Sequence, residues 1–199
     1  MPNPIDFTLY LLTDRHQVPA GRTLSKTVES ALQGGVRAVQ LREKDLTSAE
    51  LLPLAEELRA VTRRFGARLL INDRIDVALA VEADGVHLGG HSLPVATARR
   101  LLGPGKLIGV STHHLDEITL AAATGADFVT FGPVFATPSK LAYGDPLGLA
   151  ALRTACSNTW LCISASVTVV RGDISAMLWK GGIRVRRLSA DRCIERTSE

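Results

Sequence analysis

The sequence predicts an α/β fold with parallel strands, and within that class a compact (β/α)8 TIM barrel. Three observations carry this expectation. Five successive short apolar runs each end in polar residues: Ala38–Leu41, Leu69–Ile71, Gly85–Leu88, Leu107–Val110 and Phe128–Phe131. Each run is followed by a helix-like stretch, and the alternation repeats every roughly 20–25 residues, as βαβ units do. A doubly wound sheet should carry a glycine-rich phosphate turn after its first strand. This chain has Thr13-Asp14-Arg15-His16 there instead. At 199 residues the chain fits one domain, 1–199, at the low end of barrel lengths.

The elements follow in order. Phe7–Leu12 reads as the first strand. Thr23–Gln33 has helical spacing, with Leu24, Val28, Ala31 and Leu32 on one face, and Gly34-Gly35 ends it. Ala38–Leu41 is the second strand. Thr47 and Glu50 form a capping-box pattern for a helix that Gly66 stops. Arg68–Ile71 is the third strand, Ile75–Val81 a short helix and Gly85–Leu88 the fourth strand. Pro94 opens a helix through Leu102, where proline is tolerated. Leu107–Val110, a helix over about Leu115–Ala123, and Ala126–Phe131 come next. After a long loop, Gly132–Gly144, the expected elements are a helix at Leu147–Ala155, strand seven in Leu161–Val170, a helix at Ile174–Lys180 and strand eight at Ile183–Leu188.

Composition narrows the class of function. The net charge of +3 is mild and aromatics make up 5% of residues, so neither a nucleic-acid surface nor base-stacking platforms are expected. No apolar run approaches the ~20 residues a membrane span needs. The first residues lack the basic-then-apolar pattern of a secretory signal, so a cytoplasmic setting is expected. Cys156, Cys162 and Cys193 have no metal-ligand spacing and read as reduced.

The polar strand ends carry the chemistry, because ligand sites in parallel α/β folds lie at the carboxyl ends of strands. Gln40, Arg42 and Lys44 alternate, so an extended segment would turn an amide, a guanidinium and an ammonium to one side. That set suits a polyanion. The alternative is a solvated strand end with local pairs Arg42–Glu43 and Lys44–Asp45. Asn72-Asp73 offers an amide for a phosphate oxygen and a carboxylate for magnesium, or else an N-cap for the next helix. His87 and His91 bracket two glycines, but a strand followed by a loop does not bring them together as metal ligands. Ser111-Thr112-His113 could cap the following helix at Thr112, or supply a base at His113 or His114. Thr137-Pro138-Ser139-Lys140, in the longest loop, offers two hydroxyls and an ammonium to a phosphate, or forms a surface turn.

Together, the segments Gln40–Lys44, Ile71–Arg74, Asp84–Gly89, Gly109–His113 and Gly132–Lys140 resemble the thiamine phosphate synthase family and its thiazole tautomerase relatives. The resemblance runs from about Tyr10 to Leu152. It implies a transferase that couples hydroxymethylpyrimidine diphosphate to thiazole phosphate and releases pyrophosphate. By the same resemblance, Gln40, Arg42, Lys44 and Asn72 hold the diphosphate, with Leu41 and Glu43 in the same binding segment. Asp73 binds Mg2+, and Ser111 contacts the pyrimidine. Thr137, Pro138 and Ser139 receive the thiazole phosphate, and Lys140 reaches the departing pyrophosphate. Arg42, Ser111, Lys140 and His113 are the expected catalytic groups. Substrates are small molecules, and a homo-oligomer is left open.

Two departures stand out. Ser92 occupies the place of a second magnesium-binding aspartate, which raises an isomerase alternative using His113 and a non-catalytic phosphate-binding alternative. Residues 155–199 diverge from the family pattern. No Gly-Gly turn falls near Ser164–Thr168, and Arg184, Arg186 and Arg187 interrupt what should be a buried strand.

Overall fold

The computed structural model describes residues 3–135, 145–157, 159 and 162–165. These fall into two compact units, one within Asp6–Val86 and one within His87–Ser166 joined by the N-terminal residues. In the first unit, β1 (Tyr10–Leu12), β2 (Ala38–Leu41) and β3 (Arg68–Asn72) pair in parallel and in chain order. Helices α1 (Leu24–Gln33) and α2 (Ser48–Arg64) pack on each other, and α3 (Ile75–Ala80) packs on α2 and β3. β4 (Gly85–Leu88) straddles the boundary between the units. The second unit holds α4 (Val95–Leu102), β5 (Leu107–Thr112), α5 (Leu115–Thr124), β6 (Phe128–Phe131), α6 (Gly148–Ser157) and β7 (Cys162–Ala165). Here too β5, β6 and β7 pair in parallel and in chain order.

Local chemistry explains the boundaries. The Thr47 hydroxyl accepts from the Glu50 backbone N–H, and the Glu50 carboxylate accepts from the Thr47 N–H at 2.9 Å, which closes the expected capping box. The apolar face of α1 is the expected one: Leu24, Val28, Ala31 and Leu32 are buried. β2 and β3 bury Ala38, Val39, Leu41, Leu69, Leu70 and Ile71 completely, as strands covered on both faces should.

One device anchors the strand starts in both units. Asp84, just before β4, accepts from the Leu69 N–H at 2.8 Å, returns its own N–H to the Leu69 carbonyl at 2.8 Å, and takes Arg59 of α2 at 2.6 Å. Asp127, just before β6, accepts from the Ile108 N–H at 2.7 Å, returns its N–H to the Ile108 carbonyl at 2.8 Å, and takes Arg99 of α4 at 2.6 Å. Asn3 adds its backbone N–H to the other Asp127 oxygen at 2.6 Å. In each case a carboxylate, buried at Asp127 and partly buried at Asp84, staples a strand start to the preceding strand and is neutralised by an arginine from the helix that comes before that preceding strand.

Several expectations are corrected. β1 begins at Tyr10, not Phe7, although Ile5 and Phe7 are buried without belonging to a strand. β5 runs on to Thr112, which places Ser111 inside the strand. Cys156 is disulfide-bonded rather than reduced. The helix expected at Ile174–Lys180 and strand eight at Ile183–Leu188 lie outside the described residues. The established architecture is therefore an α/β fold with a parallel sheet.

Candidate functional site

In the Asp6–Val86 unit the register sets the site. Gln40 lies beside Leu70 and Leu41 beside Ile71, so Arg42 and Asn72 leave neighbouring strand ends together. Gln40 is buried in the last turn of pleat, and its Nε2 has no hydrogen-bond partner among the described residues. A buried amide donor without an acceptor is costly, and such groups in a native fold call for an explanation such as a bound ligand. Arg42 is half-buried, and its side chain makes no hydrogen bond or ion pair among the described residues. The same holds for Asn72, half-buried, and for Lys44, exposed in the turn after β2. β2 stops at Leu41, so pleat alternation places Gln40 but does not extend to Lys44.

Asp73 adopts φ 68°, and the Arg74 N–H donates to the Asn72 carbonyl at 2.7 Å across it. This is a γ-turn, a strained conformation that aspartate tolerates better than most residues. The N-cap of α3 is Arg74, without a side-chain cap, so neither Asn72 nor Asp73 serves as the cap. The Asp73 carboxylate is exposed and makes no hydrogen bond or ion pair among the described residues. Strain held at a strand exit is common where a side chain must be presented to a ligand.

The local pairs Arg42–Glu43 and Lys44–Asp45 do not form. Glu43, expected in the substrate segment, is buried and turned to Thr13 at 2.6 Å and to Arg15. Asp45 instead takes Arg15 in two hydrogen bonds and stands 3.3 Å from His16. The Arg15 hydrogen bonds hold the Asp45 carboxyl well below the usual carboxylate range and keep Arg15 firmly charged. Leu41 is fully buried in the core, which leaves only its backbone to a ligand.

In the His87–Ser166 unit, β4, β5 and β6 bring three polar groups together. His87 Nε2 lies 3.0 Å from Ser111 Oγ and 3.4 Å from Thr130 Oγ1. His87 is buried, and its ring tilts against Phe128 with centroids 5.7 Å apart. Gly109 makes room for this cluster. A Cβ there would stand 2.6 Å from His87 Nδ1 and closer still to the Phe128 ring. Ser111 is the residue that the family resemblance sets against the pyrimidine. Its partners His87 and Thr130 have no part in that expectation; each is the penultimate residue of an apolar run, a polar side chain set inside the strand.

His113 is exposed. Its N–H donates to Glu117 at 2.5 Å, and its Nδ1 is held by the Gly132 carbonyl. The expected cap at Thr112 does not form. His114 is the N-cap of α5, and the Thr112 hydroxyl donates to the Thr130 carbonyl at 3.2 Å. Ser92 accepts from the Gly89 N–H at 2.7 Å and closes a tight turn. No cluster of three or more histidine, cysteine, aspartate or glutamate residues suited to a metal occurs among the described residues. Likewise, none of their helices is long and apolar enough to cross a membrane. Thr137, Pro138, Ser139 and Lys140 lie outside the described residues.

A parallel α/β chain whose amide, cationic and carboxylate groups at its strand exits have no partner among the described residues has the equipment of an enzyme acting on phosphorylated small molecules. Comparison with known proteins sharpens that class. The family model for thiamine monophosphate synthase matches residues 9–177. The chain is 53% identical over 186 residues to a provisionally named thiamine-phosphate synthase of Geobacter sulfurreducens, covering 94% of this chain and 87% of that one. It is 48% identical over 149 residues to the thiamine-phosphate synthase of Chloroflexus aurantiacus, covering 75% and 68%. Among solved structures, the thiamine phosphate pyrophosphorylase of Pyrococcus furiosus superposes with a TM-score of 0.71 at 33% identity, covering 87% of this chain and 81% of that one. A 3-dehydroquinate dehydratase of Geobacillus kaustophilus, at 15% identity and a TM-score of 0.55, shares the fold alone. The chain belongs to the thiamine monophosphate synthase family. These relatives favour the transferase over the isomerase and the non-catalytic alternatives. The Geobacter alignment also extends into the segment after Ala155 that departs from the family pattern.

Proposed function

We infer that the protein is a thiamine phosphate synthase, joining a pyrimidine-methyl diphosphate to a thiazole phosphate with release of pyrophosphate. The observation that carries this reading is the buried Gln40 Nε2, a donor with no partner among the described residues, beside Arg42 and Asn72 side chains that likewise have none there, in a chain of this family. A diphosphate supplies the acceptor for the amide and the negative charge for the guanidinium that no described residue supplies.

The reaction breaks the bond between the pyrimidine methylene carbon and the diphosphate oxygen, and that electron pair leaves with pyrophosphate. The thiazole nitrogen gives its lone pair to the same carbon, forming a thiazolium. No proton has to move, so no general base is required. The barrier comes from charge building on the leaving oxygens, and preorganised cations aimed at it lower that barrier. In this reading Arg42 grips the leaving diphosphate through its planar fork, Lys44 adds a point charge, and Gln40 and Asn72 donate to its oxygens. Ser111, held by His87, orients the pyrimidine. Thr137, Pro138 and Ser139 receive the thiazole phosphate, and Lys140 meets the departing pyrophosphate.

Asp73 fits a magnesium site of the kind that uses one or two carboxylates with substrate phosphates and water. Its carboxylate is exposed, makes no hydrogen bond or ion pair among the described residues and is presented by a γ-turn. Magnesium, when bound there, would neutralise charge on the diphosphate. Ser92 would contribute at most a neutral oxygen, already bonded to Gly89. Closure of the full eight-stranded barrel, a single domain over 1–199, a cytoplasmic setting and self-association belong to the same reading.

The test mixes both substrates with magnesium and follows pyrophosphate and thiamine phosphate together. Equimolar appearance of the two is expected. Pyrophosphate release without a coupled product would overturn the transferase reading, and release that ignores Asp73→Ala would overturn the metal assignment.

A further inference from the structure

The geometry assigns Thr13 and Glu43 a positioning role: together they fix the backbone from which Arg42 projects. The inference rests on the reading of Arg42 as the diphosphate-gripping group. Its basis is a continuous chain of hydrogen bonds within one unit. The Thr13 hydroxyl donates to Glu43 Oε1 at 2.6 Å and accepts from the Arg42 backbone N–H at 2.9 Å. The Thr13 N–H donates to the Gln40 carbonyl at 3.0 Å. Glu43 also accepts from the Arg15 N–H at 3.1 Å and from the Arg15 guanidinium at 3.3 Å. Thr13 and Glu43 are each 5% exposed.

The direction of these bonds matters. A hydroxyl has one proton and can point it only one way. An ionised Glu43 can only accept, so it claims the Thr13 proton and leaves the oxygen lone pairs facing the Arg42 N–H. Ladder bonds of β2 end at Leu41, so this threonine takes over just where pairing stops. Arg15 holds the carboxylate in turn, and Arg15 is itself tied to Asp45. The carboxylate in the middle of the Gln40–Lys44 segment is thus spent on the scaffold, which spares an anionic substrate its repulsion.

Exchange of the Arg42 amide and steady-state kinetics on the full chain test this. Thr13→Val keeps the shape and removes the acceptor. The Arg42 amide should lose about tenfold of its protection, the size of one hydrogen bond. Thr13→Ser should restore it. Glu43→Gln, which can offer an N–H to Thr13 and turn the hydroxyl round, should lose protection as Thr13→Val does and guards against a folding failure of the valine variant. In kinetics, Thr13→Val should lower kcat/KM for the diphosphate substrate by roughly 100-fold, as a misplaced group does. The same change made in Arg42→Ala should cost less than about threefold, because there is no guanidinium left to position. Unaltered Arg42 amide protection in both Thr13→Val and Glu43→Gln would overturn the inference, as would an equal kinetic loss with and without Arg42. A wild-type chain that makes no thiamine phosphate would sink the functional reading alone, because the amide measurement reads the brace without turnover.

Discussion

Gln40 and Asp73 show how a single residue can be poor for stability and still be fixed by its surroundings. Gln40 buries a donor that no described residue satisfies. Gln40→Leu keeps the volume and removes that donor. It should raise unfolding free energy in urea by about 1 kcal/mol while abolishing measurable pyrophosphate binding by calorimetry. Asp73 sits at φ 68°. Asp73→Asn tolerates that backbone and loses the charge, so magnesium activation should weaken by about 100-fold with little change in stability. Asp73→Gly should lose activation to the same degree and gain about 1 kcal/mol, because glycine relieves the strain. Activity titrated with magnesium, beside urea unfolding of the same samples, checks both.

At the scale of elements, the aspartate staples carry the strand starts. The Asp127 side chain is 1% exposed and Arg99 is 22% exposed. Removing one member of a buried pair strands the other, a loss of about 3 kcal/mol. Asp127→Ala should therefore destabilise by that amount in urea. Arg63→Ala, which breaks the exposed pair with Glu82, should change stability by less than about 0.5 kcal/mol. Gly109→Ala tests the packing of β5. Its Cβ would press on His87 and Phe128, so a loss of about 1–3 kcal/mol is expected together with lower activity through Ser111.

Acid stability belongs to the whole molecule, because it sums carboxylates from separate elements. Thr47 hydrogen bonds lower the Glu50 carboxyl, and Arg74 lowers that of Asp76. Arg15 does the same for Asp45. A folded pKa below the unfolded one stabilises at pH values above the unfolded pKa. That contribution is lost as pH falls through the folded value. Tm should accordingly be flat from pH 7 down to about 5 and then fall, with Glu50→Gln shallower than wild type below that point. The drop should be modest, since these carboxyls are exposed and screened.

Most strand and helix positions among the described residues and the neighbouring ends of β2 and β3 were legible in the sequence, because each depends on near neighbours. Hydrophobic runs of four residues and a Thr47/Glu50 cap are settled within a few residues of chain. What tertiary structure alone decided is who bonds to whom across 18 to 30 residues. Glu43 went to Thr13 and Arg15 rather than to Arg42 beside it, 30 residues away in the first case. Asp127 took Arg99 at a separation of 28, and His87 took Ser111 at 24. Thr112 left its expected cap for the Thr130 carbonyl, 18 residues on. A carboxylate or hydroxyl satisfies itself with whatever donor the folded sheet brings within 3 Å, and sequence spacing does not encode that distance.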